Sequence, residues 1–338
     1  MCIRDRLSHV EVLDHEGQLV ARLDDDEALL RHWLTRRVRL DTRRQLWIVD
    51  KNRIFYDAAV DVRDSLPDPQ AVTVVPVVHA VHTQDHRDVE KGRTNRNYRG
   101  VLEDLTRPDA VVVLTQGQKR DILKRYGPGS LHTIGHAYDS AIEAQPFEAR
   151  DRFKMVYLAR YSPEKCQHLA IDAFARVARQ FPQASLHFHG FGNAGDPTLP
   201  GLQQQVANLG LQEQVFLHGW ASSPAAIYES AGLTLLTSQG EAFSLTVMES
   251  LCHGCPVLAF DVRYGPPELI AHGQSGFLAR YGDTEALAQH MRTVLADAQL
   301  HAQLSHQART GSRQFSTAHL AQAWAALLAE LSIHTANR

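Results

Sequence analysis

Long apolar runs are missing from this chain of 338 residues: no stretch approaches the roughly 18 uncharged residues of a membrane span. An excess of one charge is missing too. Lys and Arg number 35 against 38 Asp and Glu, a formal net charge of −3, so there is no global electrostatic footprint for nucleic acid. The first six residues, Met-Cys-Ile-Arg-Asp-Arg, are charged where a secretory leader would be apolar. They read as an adaptor scar, which sets up the expectation that residues upstream are absent; a cytoplasmic location is expected. Cysteine is scarce, four residues in all, and only Cys252 and Cys255 are close. A structural zinc site takes four ligands, and no second Cys pair or matching His pair follows, so Cys255 reads as a small residue before Pro256 at the start of a buried strand. Internal repeats and low-complexity tracts are absent.

What is present is an ordinary globular composition, 44% hydrophobic and 22% charged, at a length that suggests about two domains. Val10–Leu13 and Gln18–Ala21 flank the turn Asp14–Gly17, as in an antiparallel hairpin, and Gln45–Val49 is a further apolar run. Residues 71–79 form a continuous β-branched run suited to a strand covered on both faces; 110–115 is another, and 121–126 reads as a helix ending at Gly127-Pro128-Gly129. Residues 141–150 read as an interdomain linker. Beyond Phe153 the alternation is regular. Strands at 154–158, 185–189, 214–217, 233–236 and 256–260 are interleaved with helices near 168–180, 202–209, 225–230, 244–253 and 284–296. An amphipathic helix at 314–331 closes the chain. This pattern implies βαβ units and a parallel doubly wound sheet, whose ligands bind beyond the carboxyl ends of the strands.

Two motifs invite misreading. Gly190–Gly195 contains G-x-G-x-x-G, but Asp196-Pro197 and Pro200-Gly201 delay the helix that a dinucleotide site opens at its third glycine, and the next strand ends in His218-Gly219-Trp220 with nothing acidic to meet a ribose. Asp24-Asp25-Asp26 contains D-x-D, and acids in the first turn of a helix explain it more simply than a metal site. The stretch Arg87–Arg99, with five basic and two acidic side chains, reads either as the path of a polyanionic acceptor or as a solvated loop.

The informative constellation is Gln239–Glu249. A buried strand ends, a loop turns, and a helix starts near Ser244, so that the N–H groups of Phe243, Ser244 and Leu245 face the carboxyl edge of the sheet, a ready anion site. Thr246, Glu249, Ser250 and His253 form one polar stripe on that helix, which meets either water or a ligand cleft. At another strand end, Arg160 and Lys165 stand five residues apart, a fork and a point charge suited to phosphate.

A strand ending in Arg followed by Ser-Pro-Glu-Lys, the glycine-rich turn with Gly192, Phe216-Leu217-His218-Gly219, and Glu241 separated by seven residues from Glu249 occur in order over 153–281. The set resembles the donor domain of family 4 retaining glycosyltransferases. Residues 261–270 and 114–123 are similar to the branch containing the poly(glycerol-phosphate) and poly(ribitol-phosphate) glycosyltransferases of teichoic acid and the glucosyltransferases of serine-rich adhesins. The resemblance implies an α/β chain of GT-B fold, with two facing Rossmann-like domains of parallel sheet, the first incomplete and carrying part of an antiparallel β insertion. The implied divisions are 1–50 for the insertion remnant, 51–145 for the acceptor side, 150–313 for the donor domain and 314–338 for the terminal helix.

The resemblance also implies roles. Arg160, Lys165 and the amides of 243–245 neutralise the diphosphate of a UDP-sugar, with Gly192 in the donor-binding turn. Glu249 takes the ribose hydroxyls, Glu241 contacts the transferred sugar, and His79, with His82 as a weaker candidate, approaches it across the cleft. The donor is a substrate; no cofactor and no metal is implied. The expected acceptor is a polymeric or protein hydroxyl, with no nucleic-acid partner, and peripheral membrane association and a homo-oligomer are compatible partners. A non-catalytic scaffold that stabilises an active paralogue, and a nicotinamide-dependent oxidoreductase, are the rival expectations.

Overall fold

The computed structural model describes residues 10–13, 15–41, 43–139 and 146–336. The expected adaptor scar lies outside them, as do Asp14 of the first turn and the first half of the expected linker, residues 141–145. A hairpin of β1 (Val10–Leu13) and β2 (Leu19–Leu23) leads into α1 (Asp26–Leu40). Asp25 caps that helix, its Oδ1 accepting the Ala28 N–H at 2.8 Å, which gives the D-x-D a structural job.

A four-stranded parallel sheet follows, ordered β3-β4-β5-β6. Its strands are β3 (Gln45–Val49), β4 (Val72–Val78), β5 (Val111–Val113) and β6 (Leu131–Thr133), connected through α2 (Asn52–Asp64), α3 (Arg99–Glu103) and α4 (Gln116–Tyr126). Helix α4 starts five residues before the expected 121 because the Thr115 hydroxyl caps it, accepting the Gln118 N–H.

The second sheet has six parallel strands, ordered β12-β11-β10-β7-β8-β9: β7 (Asp151–Leu158), β8 (Ser185–His189), β9 (Val215–His218), β10 (Ala231–Leu236), β11 (Val257–Asp261) and β12 (Gly276–Arg280). Helices α5 (Gln167–Ala178), α6 (Thr198–Asn208), α7 (Pro224–Ser230), α8 (Leu245–Cys252) and α9 (Gly265–Leu269) connect them, and α10 (Thr284–Ala296), α11 (Ala298–Gly311) and α12 (Thr317–Ala336) follow. Helix α6 begins at Thr198, ahead of Pro200 and the expected 202, because a proline in the first turn lacks only an N–H that would have no partner there. The strand order runs outward in opposite directions from the β7–β10 pair, which makes the carboxyl ends of these two strands the topological switch point, where open α/β sheets bind ligands.

One apolar cluster packs this sheet beneath α5 and α10 through Met155, Phe174, Leu186, Phe188, Leu235 and Met291. A second cluster joins the two sheets: Val75, Val112 and Leu114 share it with Phe243, Met248 and Leu269, and Leu327 of α12 completes it. Helix α12 thus returns from the six-stranded unit to the four-stranded one, with Glu330 3.9 Å from His132.

Candidate functional site

Lys165 follows β7 and Glu241 follows β10, and the switch point brings them together. The Lys165 Nζ donates to the Glu241 carboxylate at 2.7 Å in a pair only 20% and 14% exposed. Their loops are stitched by the Gln239 N–H, which donates to the Glu164 carbonyl at 2.9 Å. Glu241 is also fixed through its backbone, its N–H donating to the Arg263 carbonyl at 2.9 Å and its own carbonyl accepting the Gly265 N–H at 3.2 Å. Gly265 is required there, since a Cβ would lie 1.7 Å from the Phe243 carbonyl oxygen.

Arg160 does not converge on Lys165. Its guanidinium pairs with Glu164 at 3.2 Å and is half exposed. Burial pushes the Glu164 carboxyl up, but hydrogen bonds from its own backbone N–H and the Ser162 hydroxyl, with the charge of Arg160, outweigh this and hold it below the usual range. An exposed pair of this kind contributes about 0–1 kcal/mol, so an incoming anion can release the guanidinium.

Helix α8 starts at Leu245 rather than Ser244, which sits in left-handed backbone at φ 79° as its N-cap residue. The Ser244 Oγ is buried without a hydrogen-bond partner. The polar stripe on α8 is not a solvated face. Thr246 Oγ1 donates to the Leu158 carbonyl at 3.0 Å, and Ser250 Oγ donates to the Cys255 carbonyl and shares a hydrogen bond with Thr234 Oγ1, each at 2.7 Å. His253 Nδ1 lies 2.7 Å from Glu229 and its Nε2 2.9 Å from the Tyr138 hydroxyl. Glu249, between them, accepts a long hydrogen bond of 3.5 Å from the fully buried Tyr228 hydroxyl, and burial pushes its carboxyl up.

His79 sits beyond β4, its Nε2 against the Asp50 carboxylate. It stacks on His136 at 5.7 Å between centroids, and His136 meets Phe243 edge-on at 5.3 Å. Three rings therefore link the end of β4 to the N-terminus of α8. Burial, and the neighbouring His79, lower the pKa of His136. His136 was missed in the sequence; its signal is its place in Thr133–Tyr138, just past a short apolar strand. His82 is fully buried, its Nε2 2.9 Å from the Val89 carbonyl oxygen, and faces no cleft.

In the glycine-rich turn Gly190 is the constrained position: a Cβ there would lie 1.8 Å from the Ala159 carbonyl oxygen, whereas at Gly192 it would meet Tyr161 at an ordinary 3.7 Å. No helix opens at Gly195, which turns with φ 81°. The Arg87–Arg99 stretch is folded back by a Thr83–Thr94 bridge, and Tyr98 within it is buried with its hydroxyl accepting the Ala80 N–H at 2.8 Å. Cys252 and Cys255 are buried free thiols.

A cleft of about 560 Å³, lined by Ser162, Gln167, Gln239 and Tyr281, opens beside the Lys165 loop. Larger concavities, of about 910 and 620 Å³, lie around β3 and at the amino ends of the four-stranded sheet, away from the switch point.

The family described as Glycosyl transferases group 1 matches residues 139–311, just over half of the chain. The poly(glycerol-phosphate) alpha-glucosyltransferase of Bacillus subtilis is 27% identical over 331 residues, covering 96% of this chain and 46% of that protein. The crystal structure of TarM superposes with a TM-score of 0.80 at 20% identity, covering 94% of this chain and 63% of that one. The pneumococcal O-GlcNAc transferase GtfA, solved with UDP and GlcNAc, gives a TM-score of 0.78 at 20% identity over 95% of this chain and 66% of its own. The chain spans about half the length of the Bacillus relative. Two parallel sheets that face each other across the switch point are the GT-B architecture of these neighbours, and the chain belongs to the Glycosyl transferases group 1 family.

Proposed function

We propose that this chain carries the donor site of a retaining, family 4-type glycosyltransferase. It moves a hexose or N-acetylhexosamine from a UDP-sugar to a hydroxyl of a polyol-phosphate polymer or of a Ser/Thr protein side chain. The observation that carries the reading is the Lys165–Glu241 pair at 2.7 Å, at the switch point and beside the α8 N-terminus. A salt bridge between a cation suited to diphosphate and a carboxylate suited to sugar hydroxyls is poised to open when a ligand carrying both groups arrives. The Bacillus and pneumococcal relatives, whose names specify a glucosyl and an N-acetylglucosaminyl transfer, support it.

In this reading the diphosphate takes Lys165 and draws Arg160 off Glu164, while the first-turn N–H groups of α8 and the unpartnered Ser244 hydroxyl face its oxygens. Glu241, relieved of Lys165, accepts from hydroxyls of the sugar, and Glu249 from the ribose. His79 and His136 close the opposite wall. The acceptor oxygen bonds to the anomeric carbon on the face the diphosphate leaves, the carbon–oxygen bond to phosphate breaks, and the departing phosphate oxygen takes the acceptor proton. The protein supplies position and a preorganised positive field for the charge that develops on the leaving group. UDP-sugar is a substrate here, and the reading calls on no cofactor.

The test is transfer of labelled glucose or N-acetylglucosamine from UDP to polyglycerol phosphate and to a Ser/Thr-rich peptide. Transfer to one acceptor class, with the α-anomer retained and abolished by Glu241→Gln, is expected. Hydride transfer with a nicotinamide and no sugar transfer would overturn the reading.

A further inference from the structure

The segments 114–123 and 261–270 face each other. The Glu268 carboxylate reaches the N-terminus of α4, where Oε2 accepts the Gln116 N–H at 2.9 Å and Oε1 the Gly117 N–H at 2.6 Å. With Thr115 taking the Gln118 N–H, the first turn of α4 is satisfied partly by a residue about 150 positions away. Beside this contact Arg263 pairs with Asp121 at 3.2 Å. Tyr264 is buried against Val81 and Val89, with its hydroxyl 3.4 Å from His82 Nδ1. The four-stranded unit is thus gripped at three points, Arg263, Tyr264 and Glu268, by one short segment.

The same segment holds Glu241. Arg263 accepts the Glu241 N–H, Gly265 donates to the Glu241 carbonyl, and Glu241 and Tyr264 form an isolated parallel bridge. Lys165, Arg160 and Glu249 are anchored elsewhere, on the loops after β7 and on α8. The group read as the sugar contact therefore shares its backbone support with the contact between the units, and the side chains of Lys165, Arg160 and Glu249, read as diphosphate and ribose contacts, do not.

We propose that Glu268, aided by Arg263 and Tyr264, is a positioning residue that couples closure of the two units to the placement of Glu241, so that sugar recognition depends on closure while UDP recognition does not. The inference rests on the reading of Glu241 given above. Glu268 is exposed and Arg263 half exposed, so water competes for both contacts and the grip is reversible. An N-terminal carboxylate favours α4 through its free N–H groups and the helix dipole, and neutralising it removes the second of these.

Two measurements on the full chain test the coupling. In the unliganded protein, hydrogen exchange at the Glu241 amide is expected to speed up about tenfold in Glu268→Gln, an opening easier by about 1.4 kcal/mol, with a smaller change in Arg263→Gln. An unchanged rate in both variants overturns the proposal whether or not the donor site binds UDP. In titrations, wild type is expected to prefer a UDP-sugar to UDP, and Glu268→Gln to lose that preference while its affinity for UDP stays within about threefold. Equal loss of both affinities would mark Glu268 as merely structural, and a retained preference would likewise contradict the coupling. A chain that binds no UDP at all, yet shows the exchange change, would sink the donor-site reading and leave the mechanical coupling standing.

Discussion

In the six-stranded unit Met155, Leu186, Leu235 and Leu258 have no appreciable contact with water, because α5 and α10 cover their face of the sheet. The four-stranded unit is different: its edge strand β3 buries Val49 yet leaves Leu46 39% and Ile48 49% exposed, and β5 and β6 on the far side of β4 are only three residues long. Both sheets obey the same alternation of strand and helix. The difference teaches that the switch point and its chemistry sit on strands whose carboxyl halves are buried on both faces, β7 and β10, where loop ends are held to the fractions of an ångström that such sites need.

The largest expected effect bears on that six-stranded unit. Arg150 donates to Glu229 and to the Tyr228 carbonyl from a position 1% exposed, and His253 lies on the other side of the same carboxylate. Arg150→Ala leaves Glu229 buried with its principal cation gone, which costs about 3–5 kcal/mol. Urea denaturation should show it as a midpoint shift without a changed slope. Loss of only the four-stranded unit would break the comparison.

Glu249→Gln sharpens it in the opposite direction. A carboxyl raised by burial makes the folded state bind its proton more tightly than the unfolded one. Its contribution is therefore present at acid pH and is lost as pH rises through the ordinary carboxylate value toward the folded one. The amide carries no such penalty, so thermal stability at neutral pH should increase while UDP affinity falls. Stability bought at the expense of binding is the usual signature of a ligand site.

Acid should probe the outer edge of the six-stranded sheet. His187 and His189, lowered to about 4 by burial, lie beside His218 with Lys154 adding positive charge to both, and Asp151 partly offsets this at His187. A base lowered on folding destabilises the native state as pH falls, from about 6.5, where the unfolded chain protonates, to about 4. His187→Gln should reduce the loss of melting temperature between pH 7 and pH 5. The smallest effect is expected on β3: Leu46→Thr, on its exposed face, should change stability by no more than about 0.5 kcal/mol.

The alternation after Phe153 was legible because each buried strand is bracketed by glycine, proline or charge; Arg160, Lys165 and Glu241 stood out as residue types beyond strand ends, and Glu249 as part of a polar stripe on a helix. The Lys165–Glu241 pair was not legible, since the partners are 76 positions apart and meet only through the strand order. The polar stripe of α8 could be given either of two faces by periodicity, and the structure turns it inward onto β10 and α7. Helix α2 was missed although it buries Tyr56, Ala58, Ala59, Val60 and Val62; its flanks carry no capping side chain, so no start signal marks it. The grip of Glu268 on α4 has no sequence signature, because a helix N-terminus does not record which distant carboxylate will meet it.

The central claim is a diphosphate site at the β7–β10 switch point. It is tested most directly by the shift in melting temperature with UDP in wild type, Arg160→Ala and Lys165→Ala. At a hundredfold the dissociation constant, UDP should add about 2.7 kcal/mol to the wild type, and either variant should lose most of that gain, measured relative to its own melting temperature without ligand. A wild type indifferent to UDP, or variants that respond as wild type does, would contradict the account.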